Sequence, residues 1–280
     1  MKKLLKVECK RAFCNKTFYA CLGIGAVLSI WLLCIQVQEV KTFEQMILEY
    51  GIEKVGLYYP RSIYNSFIGL DYAYLPSTIL YTIFPILVTL PHGISYYYDK
   101  KIGYMKNILI KSKRRDYFLA KYVSVFMSGF VMTMLILLFS FWLSALFFPG
   151  LLPEVTTAMY CPFDKHALLI KLFYSHPWLY VLIYIFIDAV FFGVIATVAI
   201  AISCYSNHML LVCSGGMMIY LMVDLVTELL GKPEFSPLKF LRPTQMLCNA
   251  NPVIIIVELA VLISLVMILL FKVERKKDVF

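Results

Sequence analysis

The sequence predicts an all-α polytopic membrane protein with six transmembrane helices. Of the 280 residues, 61% are hydrophobic and 15% are charged, and the mean hydropathy is +0.79. A water-soluble protein cannot cover so apolar a chain with a polar surface, whereas a lipid bilayer solvates it. Six apolar runs have roughly the 20 residues that cross a bilayer core. The predicted spans are about 18–37, 77–98, 122–148, 178–203, 209–230 and 253–271.

The distribution of basic residues predicts how these spans are oriented. The net charge is +9, and most Lys and Arg residues lie in three segments, 1–17, 96–121 and 272–280. Bases on alternate loops are typical of cytoplasmic loops. We therefore expect a multi-pass protein of the cell membrane with both termini in the cytoplasm. The same bases suit anionic lipid headgroups, so membrane lipid, and not nucleic acid, is the expected polyanionic partner.

The first element, residues 1–17, is predicted to be an amphipathic helix on the inner membrane surface. Its apolar side chains fall on one helical face and its lysines on the other, as in interfacial helices. The apolar run that follows is too long for a signal peptide and ends in no cleavage motif. The apolar face comprises Leu4, Leu5, Cys9, Ala12 and Phe13.

The remainder, 18–280, is predicted to form one six-span domain with a long outer segment, 38–76, after the first span. Apolar residues repeat at a helical period between Val40 and Tyr50, and a Tyr-rich stretch follows. Aromatic side chains favour the membrane interface, although a gate for substrate exit is an alternative role. In the second span, Pro85 and Pro91 should bend or break the helix.

The sequence contains no motif that indicates catalysis. It lacks the nucleotide-binding P-loop, the zinc-protease motif, the nucleophile elbow and the dinucleotide-binding fingerprint. We therefore expect no enzyme activity, no catalytic residue and no cofactor in this chain. The eight cysteines show no spacing suited to zinc, so no metal site is expected. Cys161 and Cys248 fall in predicted outer loops, and a disulfide between them stays open.

Three acidic residues lie within the predicted spans: Asp188, Asp224 and Glu258. Because a charge in hydrocarbon is costly, such residues usually face a partner or a wet cavity. One interpretation places them along a substrate path or at a helix-pairing contact. The other places Asp224 and Glu258 near the headgroups, since each is close to the end of its span. Asp188 lies deeper, which favours a functional or helix-pairing role.

The basic segment 99–121, between the second and third spans, is predicted to be a cytoplasmic hairpin with a short amphipathic helix. Ile102, Met105, Ile108 and Leu109 recur at helical spacing, and a polar turn leads back to the membrane at Tyr117. Because such a short helix is not stable alone in water, it needs the membrane or a cytoplasmic protein to pack against. A solvated cytoplasmic loop is the alternative, but such a loop needs no apolar face.

This hairpin resembles the coupling region of permease subunits of type-2 ABC exporters. The chain has Asp99-x-x-x-Gly103, then the helix YMKNILI, then a turn with Arg114 and Arg115, then Lys121 at the start of a span. Asp99 stands where the family more usually has Glu. The long outer segment favours the drug, peptide and lantibiotic-immunity branch over the polysaccharide-exporting branch.

The resemblance implies a function as well as a fold. Separate cytoplasmic subunits would bind ATP and Mg and push on the hairpin, and a second permease copy or a sister permease would complete the pore. The substrate would be hydrophobic or amphipathic, such as a peptide, an antibiotic or a lipid-like molecule. The alternative is a non-transporting membrane protein that regulates or scaffolds a signalling or stress-response partner. The implied ATPase-coupling residues are Asp99, Gly103, Tyr104, Met105, Ile108, Leu109, Arg114, Arg115 and Lys121.

Overall fold

A computed structural model describes residues 2–51, 61–69, 73–110, 113–154, 167–244 and 251–275. The regular secondary structure of these residues is entirely helical. The helices are α1 (Lys2–Phe13), α2 (Lys16–Tyr50), α3 (Ile63–Ser66), α4 (Leu75–Thr89), α5 (Ser95–Ile102), α6 (Tyr104–Leu109), α7 (Arg114–Phe147), α8 (Ile170–Ser175), α9 (Pro177–Tyr205), α10 (Met209–Leu229), α11 (Pro237–Phe240) and α12 (Pro252–Arg275), with a 3-10 turn at Pro233–Phe235.

In the described part of the chain, five helices are long and apolar enough to cross a membrane: α2, α7, α9, α10 and α12. They correspond to the first, third, fourth, fifth and sixth predicted spans, so the polytopic membrane character of the chain is confirmed. The helix in the second predicted span, α4, has 15 residues and is about 22 Å long. It is apolar but shorter than the other five.

The second predicted span, 77–98, is not one helix. Helix α4 ends at Thr89 and α5 begins at Ser95, with turns between them. The break contains Pro91, which lacks the backbone donor that a continuing helix needs. By contrast, Pro85 lies inside α4 without ending it. The prediction that proline interrupts this span is therefore confirmed at Pro91.

Two other helices extend beyond their predicted spans. Helix α2 continues past residue 37 to Tyr50, in agreement with the helical period of its outer part. Helix α7 begins at Arg114, eight residues before the predicted start of the third span. The prediction that Arg114 and Arg115 lie in a polar turn is wrong, because both residues belong to the first turn of α7.

Helices α7 and α9 pack closely against each other in the core. A Cβ atom added at Gly129 of α7 would lie 3.0 Å from the Cβ of Ala196 and 3.2 Å from the Cα of Gly193, both on α9. Glycine and alanine at such a contact let two backbones approach closely, which favours association of helices within a membrane. The small side chains therefore set the distance between α7 and α9.

We expect Gly129→Leu to lower the free energy of unfolding by about 1–3 kcal/mol, because the larger side chain forces α7 and α9 apart. Gly23 of α2 is the matched control, since an added Cβ there meets no atom within 4 Å. Gly23→Leu should change stability by less than about 0.5 kcal/mol. Thermal unfolding of the purified variants in detergent measures both changes in stability. Equal losses in Gly129→Leu and Gly23→Leu would show that the α7–α9 contact is not tight.

One end of the helix bundle gathers most of the described basic residues, and we call it the basic end. It contains α1, α5, α6 and the start of α7, with the ends of α9 and α10 nearby. The Lys100 Nζ donates to Asn207 Oδ1 at 3.0 Å, and the Asn15 Nδ2 donates to the Pro91 carbonyl at 2.8 Å. The last turns of α12 also reach this end, where Leu270 and Phe271 meet the start of α7.

Candidate functional site

Four charged side chains from three helices meet at the basic end, and we call them the ion cluster: Glu8 and Arg11 of α1, Asp99 of α5 and Lys121 of α7. The Lys121 Nζ lies 2.6 Å from Asp99 Oδ2 and 2.8 Å from Glu8 Oε2. The Arg11 guanidinium completes the ring, with Nη2 at 2.7 Å from Asp99 Oδ1 and Nη1 at 2.9 Å from Glu8 Oε1. Each acid therefore contacts both bases, and the cluster has no net charge.

The ion cluster is almost completely removed from solvent. Lys121 is 0% exposed, Glu8 1% and Asp99 2%, and only Arg11 reaches the surface. The Tyr117 hydroxyl donates to Asp99 Oδ2 at 2.9 Å, and the His92 Nε2 lies 3.3 Å from Glu8 Oε2. Buried charges at these distances are stable only as a matched set, because each would otherwise lack compensation.

The electrostatics of Glu8 follow from this arrangement. Burial acts to raise the pKa of its carboxyl, but the hydrogen bond with His92 and the charge of Lys121 outweigh burial and lower the pKa from 4.5 to about 2. Burial likewise acts to lower the pKa of Arg11, but its hydrogen bond with Asp99 and the charge of that carboxylate raise it. Both groups are therefore held in their charged forms.

This lowered pKa predicts a pH dependence of stability. A carboxyl whose pKa falls on folding stabilises the protein above its unfolded pKa, and the stabilisation is lost as the pH falls through the folded pKa. For Glu8 the window runs from pH 4.5 down to about 2. We expect the unfolding temperature of the wild type to fall more steeply in this window than that of Glu8→Gln. Parallel curves for the two proteins would contradict a charged, paired Glu8.

A short helix, α6, lies where the sequence predicts one, directly after a sharp turn at Gly103. Gly103 has a φ of 78°, a left-handed conformation that favours glycine, and it ends α5. Met105 is buried, and Ile108 and Leu109 pack against the core. The Arg11 guanidinium lies 4.7 Å from the ring centroid of Tyr104. Helix α6 is thus attached to the ion cluster through Arg11.

Two isoleucines of the same region point away from the protein. Ile102 is 77% exposed and Ile110 is 81% exposed, one just before and one just after α6. The prediction that Ile102 shares the apolar face of Met105 is wrong, because the turn at Gly103 redirects the chain between them. The exposed apolar surface of this region therefore comes from residues on either side of α6.

The other predicted coupling residues divide between the core and the surface. Asp99 and Lys121 lie inside the ion cluster, where their charges are paired within the chain. The Arg114 guanidinium lies 5.8 Å from the Phe118 ring centroid, and Arg115 lines a small crevice against the end of α12. Sequence reasoning missed Glu8 as a site residue. The available signal was its position, one turn from Leu4 and Ala12, on the apolar face of α1.

Asp188 lies deep in the core as a helix-pairing residue. It is 1% exposed, and its Oδ2 accepts a hydrogen bond of 2.5 Å from the Tyr81 hydroxyl of α4. The Arg242 guanidinium lies 5.5 Å from the Tyr81 ring centroid. Asp188 therefore has a polar partner within the helix bundle, as expected for an acid at this depth.

The other two acids lie farther from the basic end. Asp224 of α10 accepts a hydrogen bond from the Ser236 hydroxyl of the following loop, which agrees with a structural role near the end of the span. Glu258 of α12 is half-buried and lines a cavity between α9, α10 and α12. The three acids therefore have different contacts: Asp188 pairs with Tyr81, Asp224 pairs with Ser236, and Glu258 lines the cavity.

Two further predictions concern a disulfide and metal binding. Cys161 and Cys248 lie outside the described residues, so the structure does not address the disulfide between them. Within the described ranges, no group of three His, Cys, Asp or Glu side chains could hold a metal ion.

These features define a multi-pass, helical membrane protein with a buried ion cluster at its basic end. Its family is not identified by similarity, because no protein-family model, no curated protein and no solved structure matches the chain.

Proposed function

We propose that this chain is the permease subunit of an ABC exporter that moves a hydrophobic or amphipathic substrate, such as a peptide, an antibiotic or a lipid-like molecule, across the cell membrane. Separate ATP-binding subunits, which hold ATP and Mg, act on the basic end. A second copy of the chain or a sister permease completes the transport pathway. In this proposal both termini and the 99–121 hairpin are cytoplasmic.

The observation that carries the proposal is how α6 packs on the core and which residues beside it are exposed. It is a short helix between membrane helices, with its inner face packed on the core and with Ile102 and Ile110 exposed on either side. A purely solvated loop needs neither a packed inner face nor exposed isoleucines. An apolar surface flanked by bases suits a protein partner at the membrane surface, because apolar contacts supply affinity and charges supply orientation.

The ion cluster gives a mechanism for transmitting a push on α6. Asp99 lies four residues before Gly103 and is paired to Lys121, so α5 and α7 are joined at the point where the hairpin leaves the membrane. Arg11 and Glu8 join α1 to the same point. A displacement of α6 would therefore move the ends of α5, α7 and α1 as one body, as in rigid-body switching transitions.

Affinity purification of the tagged full-length chain from its native membranes, with mass spectrometry of its partners, tests the proposal. We expect a stoichiometric cytoplasmic subunit whose sequence contains a P-loop. Recovery of the chain alone, or with a sensor kinase or a protease, would overturn the exporter proposal. The second of these results would support the non-transporting regulator or scaffold.

A further inference from the structure

A cavity of about 220 Å³ lies between α9, α10, α12 and the turn at Pro233–Phe235. Its lining is mostly apolar and comes from all four elements, with Phe191, Ile195, Tyr220, Val257, Val261 and Leu262 among the residues. The neighbouring Val257 and Val261 are more than half exposed, which places the mouth of the cavity on the outer face of the helix bundle. In a membrane that face meets lipid. The cavity is therefore accessible from within the bilayer.

Among the described residues that line the cavity, Glu258 is the only carboxylate and none is basic. Among the described residues, Glu258 makes no ion pair and no hydrogen bond. It lies six residues after the start of α12, about 9 Å along the helix axis. An unpaired carboxylate at such a position is poorly solvated, and a cation that enters the cavity would compensate its charge.

The nearby charged groups do not supply this cation. Lys239 pairs with Glu228 at 2.6 Å, and Arg242 lies over the Tyr81 ring and donates to the Leu238 carbonyl at 3.1 Å. Neither base belongs to the cavity lining. The electrostatic complement of Glu258 is therefore not found within the described part of the chain.

We infer that this cavity binds a cationic amphiphile from the bilayer, with its apolar part between α9, α10 and α12 and its ammonium group on the Glu258 carboxylate. An apolar cavity of about 150 Å³ admits benzene, so this one has room for a somewhat larger ring or a short run of methylenes. The rest of an alkyl chain would lie in lipid at the mouth. The inference that such an amphiphile is a transported substrate rests on the proposed export function. The inference that it binds in this cavity does not.

Native mass spectrometry of the full-length chain, released from a non-ionic detergent and titrated with dodecylamine, tests the inference. We expect one saturable adduct, with at least about tenfold weaker binding to Glu258→Gln, because a charge-assisted hydrogen bond is lost. Dodecanol has the same chain without the charge and should bind equally to the wild type and to Glu258→Gln. Glu44→Gln, which removes an exposed carboxylate of α2, should leave dodecylamine binding unchanged.

Equal dodecylamine affinities for the wild type and Glu258→Gln would overturn the inference. If Glu258→Gln does not fold, the variant Ile219→Trp tests the inference instead, because it keeps the carboxylate and fills the cavity. Dodecylamine binding that survives Ile219→Trp unchanged would also overturn the inference. The titration contains neither nucleotide nor partner subunit, so its failure leaves the exporter proposal standing. Failure of the affinity purification, in turn, leaves the binding result standing.

Discussion

Replacing Lys121 with methionine is expected to lower the free energy of unfolding by about 3–5 kcal/mol, the effect of breaking a buried ion pair by removing one partner. Lys121 is fully buried and contacts both Asp99 and Glu8. When the Lys121 ammonium group is removed, the two carboxylates share the single positive charge of Arg11. The cluster then has a buried, uncompensated negative charge, and methionine offers similar volume but no hydrogen bond.

Thermal or denaturant unfolding in detergent measures this loss, with Lys101→Met as the control. Lys101 is exposed on the same hairpin, and its replacement should change stability by less than about 0.5 kcal/mol. The double variant Lys121→Met/Asp99→Asn restores charge balance and should recover part of the loss. If Lys121→Met were as stable as the wild type, the cluster would not hold the basic end together.

The second large effect is expected for Ile110→Asp, which should reduce ATP hydrolysis by the assembled complex more than about tenfold relative to the wild type. Ile110 is 81% exposed, so the change removes no contact of the core. A charge placed in an apolar contact with the ATP-binding subunit would remove burial at that contact and leave a desolvated carboxylate. Losses of about 2 kcal/mol or more occur at the few hot-spot residues near the centre of an interface.

The activity is measured on the complex purified with its ATP-binding subunit and reconstituted into lipid. Lys3→Asp is the matched control, since it introduces the same acid at an exposed position of the basic end. The unfolding temperature of Ile110→Asp should equal that of the wild type. Full activity in Ile110→Asp would show that the exposed isoleucine does not contact the ATPase.

Much of the fold could be predicted from the sequence because lipid imposes a simple requirement on length and polarity. Five of the six predicted spans correspond to long apolar helices among the described residues, and Pro91 correctly indicated the break in the remaining one, the second predicted span. The ends of α2 and α7 were predicted less well. A helix that leaves the hydrocarbon core continues for as long as its backbone hydrogen bonds allow, and hydropathy does not record where it stops.

The ion cluster could be predicted only in part. The resemblance singled out Asp99 and Lys121 as coupling residues, but the ion pair between them was not predicted and is visible only in the structure. Their partners on α1 were not predictable, because Glu8 and Lys121 are 113 residues apart in the chain. Periodicity reports which face of a helix is buried but not what that face meets. For the same reason the contact of Asp188 with Tyr81, 107 residues away, is visible only in the structure.

The central claim, that the region around α6 docks an ATP-binding subunit, is tested most directly by site-specific photo-crosslinking in native membranes. A photoreactive amino acid at position 110 is expected to form a covalent adduct with a P-loop ATPase. The same group at position 27, which is exposed on the membrane-spanning part of α2, should give none. Adducts at position 110 with lipid alone, or with a protein that has no P-loop, would contradict the claim.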